Sequence, residues 1–159
     1  MDTNKALTLA RELMDAHGLG HVSLNWHRSN ASLGFCHHKR ADRFSPWRCT
    51  EITLSRGLVS VNKESTIRDT ILHEIAHALA EHTAGHGPLW KLQCIAIGAR
   101  PEARCGLGVV SVPTKIKAIC PVCQHPHYFT RMPVRERYCI CQKRTLRQNW
   151  QPLNPERIG

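Results

Sequence analysis

The stretch ILHEIAHALAEHTAGHGPLW, residues 71–90, contains four of the chain's eleven histidines. Two of them, His73 and His77, flank Glu74 in the order His-Glu-x-x-His. On a helix, four residues turn ~400°, so both imidazoles lie on one face and can reach one tetrahedral zinc ion at ~2.0–2.1 Å. Glu74 points ~100° away, which suits a hydrogen bond to a water rather than metal ligation. The spacing predicts a zinc centre with an adjacent catalytic carboxylate.

The third ligand is predicted to be His86, because Gly85 ends the helix and the flexible Gly-His-Gly-Pro segment can turn that imidazole back. Glu102 is the alternative, as a distant glutamate ligand. His82 lies ~140° around the helix from His77, so we interpret it as a solvated or structural histidine. Glu81 is predicted to be a surface acid.

Three neutral ligands leave the fourth position of a tetrahedral ion to water, as catalytic zinc sites do. The ion lowers the pKa of that water, and Glu74 is placed to take its proton as the water attacks a carbonyl. Protonated Glu74 can then serve the leaving amine. The arrangement therefore predicts amide hydrolysis.

A second metal-ligand pattern lies in residues 120–141, where a C-x-x-C pair is followed fifteen residues later by a C-x-C pair. Two such pairs predict a closed Cys₄ zinc ribbon, whose folding energy comes from the metal. Its ligands are Cys120, Cys123, Cys139 and Cys141. The short second pair leaves open that His125 or His127 replaces one cysteine, and a redox C-x-x-C would lack its βαβ context. The other cysteines are predicted to be small core residues: Cys36, Cys49, Cys94 and Cys105.

The positive charge is concentrated near the end of the chain. The formal net charge is +10, and residues 113–159 carry nine Lys and Arg against two acidic residues. Cations interleaved with aromatic residues favour phosphate contacts and base stacking, so we expect a nucleic acid with single-stranded or junction structure as the partner. Tyr128, Phe129 and Tyr138 are expected to serve partly as the mini-core of the ribbon. The predicted nucleic-acid contacts are Lys115, Lys117, Arg131, Arg135, Arg137, Lys143, Arg144, Arg147 and Trp150.

The elements around these motifs predict an α+β fold. A helix over 3–17, strands at 21–27, 31–37 and 51–55, and helices over 65–84 and 88–98 follow from hydrophobic periodicity, capping residues and glycines. A Thr66-x-x-Asp69 capping box is expected to start the second helix. The strands are expected to form a small antiparallel sheet packed on the helices. We expect two domains, residues 1–112 and a basic zinc-ribbon tail over 113–159.

The segments "ILHEIAHAL", "GHGPLWK" and "IGARP" resemble the SprT-like metalloprotease domain of Spartan-type DNA–protein crosslink proteases. The resemblance implies zinc binding by His73, His77 and His86, with Glu74 catalytic. It also implies a zincin-like fold in which a sheet edge beside the active helix guides an extended substrate strand. Family members often carry a zinc ribbon in the position of the cysteine cluster. The implied activity is DNA-dependent cleavage of DNA-bound proteins.

Together these observations predict a DNA-associated zinc endopeptidase with two zinc ions per chain, one catalytic and one structural. It would hydrolyse DNA-bound or DNA-crosslinked proteins with a water activated by zinc and Glu74. One alternative is a nucleic-acid-binding regulatory protein whose His₃ zinc is structural or vestigial, and another is a zinc hydrolase unconnected to DNA. The chain shows neither a signal peptide nor an apolar run of membrane-spanning length, so we expect a monomeric cytoplasmic, nucleoid-associated protein with no membrane partner.

Overall fold

The structure is a computed structural model that describes residues 1–103 and 109–158, with only the backbone of Arg144. The chain divides into two compact units, residues 1–111 and 112–159. Helices and two small sheets make up these units, which confirms the predicted α+β class. Cys105, predicted to be a core residue, lies outside the described residues.

The first sheet contains β1 (Ser23–His27), β2 (Gly34–Lys39) and β3 (Arg48–Ser55) in the order β1-β3-β2. β2 and β3 are antiparallel, but β1 and β3 are parallel, so the prediction of an antiparallel sheet was wrong for that pair. The reason is that β3 is the most buried strand of this sheet, with Ile52 and Leu54 fully buried. It therefore takes the central position and separates the two strands that local sequence order would have paired. β2 is left as an edge strand.

Four helices surround this sheet. They are α1 (Thr3–Ala16), α2 (Arg56–Val61), α3 (Glu64–Leu79) and α4 (Pro88–Ala96). The Asp2 side chain caps α1 by accepting from the backbone N–H groups of Asn4 and Lys5. The short α2 was not predicted; it follows β3 directly, and the Ser55 hydroxyl accepts from the Leu58 N–H to start it. α3 packs against α1, α4 and β2, so it lies at the centre of the unit.

The boundaries of α3 differ from the prediction at both ends. The predicted capping box does not form, since α3 begins before Thr66 and Asp69 pairs with Arg100 instead. At the other end α3 stops at Leu79 rather than near residue 84, because Ala80 adopts extended backbone with φ −81° and ψ 163°. A short 3₁₀ turn, His82–Ala84, follows. This early stop lets the chain reverse direction toward α3.

The second unit is built on a small antiparallel sheet of β4 (Ile116–Ile119), β5 (Pro126–Phe129) and β6 (Glu156–Arg157), in the order β5-β4-β6. Two 3₁₀ turns, Ile140–Arg144 and Arg147–Asn149, lie between β5 and β6. The buried cluster of this unit consists of Ala118, Cys120, Cys139 and Leu153. Half of that cluster is cysteine, so hydrophobic burial alone gives this unit little stability.

Within the described part of the chain, no helix has both the length and the apolar character that a bilayer crossing requires.

Candidate metal centres and active site

Three imidazoles converge at the end of α3. The Nε2 atom of His86 lies 3.1 Å from Nε2 of His77 and 3.1 Å from Nε2 of His73. Two nitrogen ligands on one tetrahedral zinc ion stand roughly 3.3 Å apart, given a zinc–nitrogen bond of about 2.05 Å. The observed spacings are close to that value. The structure thus brings the three predicted histidines around a single point where a metal ion fits.

A tight turn returns His86 to the helix. Gly85 adopts φ +50°, in the region that favours glycine, and the Gly87 N–H donates to the Ala84 carbonyl over 2.8 Å. A Cβ on Gly87 would lie 2.8 Å from that same oxygen, so only glycine fits there without a backbone shift. The two glycines beside His86 are therefore structural requirements of the turn.

Trp90, which sequence reasoning did not identify, packs against all three imidazoles. It is fully buried, and its ring centroid lies 4.8, 5.3 and 4.6 Å from those of His73, His77 and His86. Pro88 at the start of α4 sets the position of this side chain. The available signal was a large aromatic residue four positions after His86 on a predicted helix.

Burial favours the neutral state of the ligands on α3. Burial, together with a smaller effect of the neighbouring imidazoles, lowers the pKa of both His73 and His77 to about 4. Neutral imidazole is the form that binds a metal. At neutral pH these two imidazoles therefore offer lone pairs to a metal ion.

Glu74 lies on the buried side of α3, with 7% of its surface exposed. Burial raises its pKa to about 8, against a smaller lowering by a hydrogen bond from the Cys36 backbone N–H. A carboxyl group with a pKa near the working pH can both take up and release a proton. Glu74 therefore has the electrostatic character of a general acid–base group.

Gly34, the first residue of β2, packs directly against this carboxylate. A Cβ at Gly34 would lie 2.9 Å from Cγ and 3.1 Å from Oε1 of Glu74, and 3.2 Å from Cγ2 of Thr70. Such distances are too short for ordinary contact, so a larger residue would displace Glu74 or move β2. Gly34 and the Cys36 N–H together set the position of the carboxylate.

We expect Gly34→Ala to impair any reaction that uses Glu74 while leaving metal binding intact. The added methyl group overpacks this contact, at a cost of about 1–3 kcal/mol in the free energy of unfolding. Thermal denaturation, zinc content and catalytic rate would be measured together. Gly20→Ala is the matched control, because its Cβ would meet only the Asp15 side chain. A fully active Gly34→Ala protein would contradict the positioning role.

A cavity of about 670 Å³ opens onto the metal group and is lined by residues of α3, β2 and the 3₁₀ turn. His82, which lines this cavity, stacks on Trp47 with ring centroids 4.2 Å apart, and the Arg40 guanidinium lies 5.1 Å from the centroid of the Trp47 ring. His82, Glu81 and Glu102 are all exposed, and none joins the metal group.

The four predicted cysteines of the second unit also form one group. Sγ of Cys120 lies 3.7 Å from Sγ of Cys141, and Sγ of Cys123 lies 3.7 Å from Sγ of Cys139. Two thiolates on one tetrahedral zinc ion, bonded at about 2.3 Å, stand roughly 3.8 Å apart. The spacing fits a zinc ion held by four sulfurs.

The loop around the first cysteine pair is shaped to stabilise thiolates. The Val122 N–H donates to Sγ of Cys120 over 3.4 Å, and Gln124 adopts φ +59° to close the turn. Burial acts to raise the pKa of Cys120, but neighbouring N–H groups and thiols outweigh it and bring the pKa to about 7. His125 and His127 do not join the metal group; their rings meet edge to face, with centroids 5.2 Å apart.

Most of the predicted nucleic-acid contacts lie on the surface of the second unit. Three of them line one concave surface together with Tyr128 and Phe129, namely Arg131, Arg135 and Arg137. Lys115, Lys143 and Arg147 are exposed, Lys117 and Trp150 are half-buried, and the Arg144 side chain lies outside the described part of the chain.

The aromatic residues of this unit divide into two kinds. Phe129 packs against the buried cluster, as expected for a mini-core residue. Tyr128 and Tyr138 are 53% and 37% exposed, so burial is not their main role. The Trp150 indole N–H donates to the Thr145 carbonyl, and its ring lies 5.5 Å from that of Tyr138.

A His₃ group beside a buried carboxylate, open to a cavity, is the arrangement of a metal-binding site that can admit a substrate. The sequence model of the SprT-like family matches residues 4–111, a range that contains this whole group. The chain belongs to the SprT-like family, which confirms the resemblance read from its motifs. This family is generally associated with metallopeptidase-like domains. A search of curated proteins finds no match to the chain.

Proposed function

We propose that this chain is a zinc-dependent endopeptidase of the zincin type that cleaves proteins bound or crosslinked to DNA. The observation that carries the proposal is the convergence of three imidazoles beside the buried Glu74, with Nε2 of His86 3.1 Å from Nε2 of both His73 and His77. Membership in the SprT-like family supports the peptidase class.

The donor set fits zinc, since imidazole nitrogens are common zinc ligands and need no charge compensation here. Among the described residues, the group has three members and no fourth His, Cys, Asp or Glu ligand. That composition leaves a coordination position open toward the cavity. When bound, the ion supplies Lewis-acid polarisation of a carbonyl and lowers the pKa of a water.

Glu74 performs the proton transfers in this proposal. One carboxylate oxygen accepts a proton from the attacking water, and the same group then delivers a proton to the nitrogen of the leaving amine. The Cys36 N–H and the close contact with Gly34 hold the carboxylate in place during both steps. Trp90 excludes water from the far side of the imidazoles.

The edge strand β2 supports binding of an extended peptide. β2 lines the cavity and pairs only on its β3 side within the described sheet. A substrate strand can add to that edge through main-chain hydrogen bonds, which gives affinity with little demand on substrate sequence. Such tolerance suits a protease that acts on varied DNA-bound proteins.

The second unit supplies the DNA-directed part of the proposal. Four cysteines spaced for zinc would fold it, and its exposed arginines and tyrosine would contact phosphates and unpaired bases. A cytoplasmic, nucleoid-associated monomer is the proposed cellular form. A purely regulatory module would favour a closed metal site, and none of the described residues completes one at the His₃ group.

The test is a cleavage assay with a protein crosslinked to a single-stranded oligonucleotide. The zinc-loaded chain is expected to cut this substrate, to cut the same protein much more slowly without DNA, and to stop when a chelator removes the metal. Metal analysis should find two zinc ions per chain. Tight DNA binding with no cleavage under any condition would instead support the regulatory reading.

We expect the triple variant Arg131→Gln, Arg135→Gln and Arg137→Gln to weaken single-stranded DNA binding in a salt-dependent way. Each lost phosphate contact lowers the slope of log affinity against log salt by about 0.7, so three contacts lower it by about 2. Fluorescence anisotropy over a salt series measures that slope. The control removes equal charge from the first unit through Arg56→Gln, Lys63→Gln and Lys91→Gln; a larger effect there would contradict the assignment.

A further inference from the structure

Two thiols that the proposed mechanism does not use face each other beside the candidate active site. Sγ of Cys36, on β2, lies 3.1 Å from Sγ of Cys49, on β3. Cys36 is half-buried and lines the cavity, whereas Cys49 is 8% exposed. The sequence assigned both to the core as unrelated single cysteines, thirteen residues apart.

A β-bulge brings the two side chains to one face of the sheet. Cys36 pairs with Ile52 and His37 with Glu51, but His38 then pairs with Cys49, so Thr50 is an extra residue on β3. Side chains alternate between faces along a strand, and an extra residue reverses that alternation. Without the bulge, Cys49 would point away from Cys36. The local backbone irregularity therefore creates the thiol pair.

The spacing separates this pair from a metal site. In the Cys₄ group the facing sulfurs are 3.7 Å apart, near the roughly 3.8 Å that tetrahedral zinc requires, but Cys36 and Cys49 are closer. His38 offers a further potential metal ligand, and its Nδ1 lies 3.8 Å from Sγ of Cys36. Among the described residues, these three do not form a group in which all ligand atoms can share one ion.

We propose that Cys36 and Cys49 form a reversible dithiol–disulfide site that reacts with low-molecular-weight disulfides of the glutathione type. One protein sulfur attacks the small disulfide and releases one thiol; the second protein sulfur then displaces the other thiol and closes the protein disulfide. The two protein thiols lose two electrons and two protons in total, and one small disulfide is reduced to two thiols. Closure to a bond of about 2.05 Å needs an approach of only about 1 Å.

The hydrogen bond within the pair supports this reactivity. Cys36 donates to the sulfur of Cys49, and that bond lowers the pKa of Cys49 against the opposing effect of burial. A thiolate is the species that attacks a disulfide, and the same hydrogen bond raises the pKa of Cys36, so it favours Cys49 as the attacking sulfur. The cavity gives a small oxidant access to the Cys36 side.

Formation of the Cys36–Cys49 disulfide would move β2 and thereby shift the Glu74 carboxylate. The Cys36 backbone N–H is a hydrogen-bond partner of Glu74, and a shift of about 1 Å in catalytic geometry can cost on the order of 100-fold in rate. We therefore expect the oxidised chain to cleave substrate more slowly than the reduced chain. This consequence rests on the proposed function, but formation of the disulfide does not.

The experiment treats the zinc-loaded full chain with mixtures of reduced and oxidised glutathione, alkylates the free thiols and maps the linked peptides by mass spectrometry. The expected product joins Cys36 to Cys49 and disappears on reduction with dithiothreitol. Cys36→Ser and Cys49→Ser should each lack it. Cys94→Ser, which removes a buried thiol from the same unit, should form it as the wild type does.

Three results would overturn the proposal. The first is full alkylation of both cysteines at every glutathione ratio. The second is a Cys36–Cys49 disulfide that forms with the strong oxidant diamide but not with oxidised glutathione. The third is a linked peptide that joins other cysteines. Cleavage rates are compared on the same oxidised and reduced samples. An unchanged rate with the disulfide present would remove the effect on Glu74 but leave the site, and absence of cleavage in both samples would count against the proposed function only.

Discussion

Glu74→Gln is expected to abolish peptide-bond cleavage while the chain keeps its fold and both zinc ions. Glutamine has nearly the shape of glutamate and still offers an oxygen to the Cys36 N–H, so the buried position can accept it. It cannot take up a proton from water, and loss of a positioned general base typically costs 10²–10⁴-fold. We expect a fall in rate of at least about 100-fold.

Folding and metal content must be measured on the same preparation, because a misfolded variant would also be inactive. Circular dichroism and zinc analysis should match the wild type. Glu81→Gln is the matched control, since Glu81 is exposed, lies two residues beyond the end of α3 and does not join the metal group. Glu74→Gln cleaving at the wild-type rate would remove the carboxylate from the mechanism.

The grouping of His73, His77 and His86 could be predicted from sequence because its geometry is mostly local. His73 and His77 share a face on any helix that covers them, whatever the rest of the chain does. His86 followed from the glycines around it, which predict a turn back toward the helix. Local rules predicted both features because few tertiary contacts are needed to produce them.

The contacts that position the site residues could not be predicted from sequence, since they join segments that are distant along the chain. Gly34 lies against Glu74 only because β2 is the sheet edge nearest α3, and Trp90 reaches the imidazoles only through the packing of α4. Sequence spacing carries no information about either approach. The same holds for the bulge at Thr50 that joins Cys36 to Cys49.

Strand partners were harder to predict than strands. The alternating pattern correctly indicated three strands, but the choice of neighbour followed from burial. Ile52 and Leu54 make β3 the central strand, which overrides the preference of consecutive strands to pair. The end of α3 was missed for a similar reason. Ala80 has good helix propensity, yet the return of His86 requires the chain to leave the helix there.

Cys139→Ser is expected to cost one of the two zinc ions and to unfold residues 112–159. Cys139 belongs to both the metal group and the buried cluster, whose other members among the described residues are Ala118, Cys120 and Leu153. Structural zinc contributes about 10–16 kcal/mol in small zinc-finger peptides, so a unit with so small a core should not fold without it. The affinity for single-stranded DNA should fall as well, because the unit that carries the exposed cations would be unfolded.

Limited proteolysis with zinc analysis would test this result, since the unfolded segment should be cut first while residues 1–111 remain protected and keep one zinc ion. His125→Asn is the control that also tests whether a histidine substitutes for a cysteine; as His125 is exposed and outside the metal group, both ions should stay.

If Cys139→Ser retained two zinc ions, the ligand set would need another member. If it lost one ion but kept its DNA affinity, the cations of the second unit would not be the DNA-binding surface. The two measurements therefore separate the metal assignment from the DNA assignment. Zinc content tests whether the four cysteines bind the ion, and DNA affinity tests whether the cations of the folded unit bind DNA.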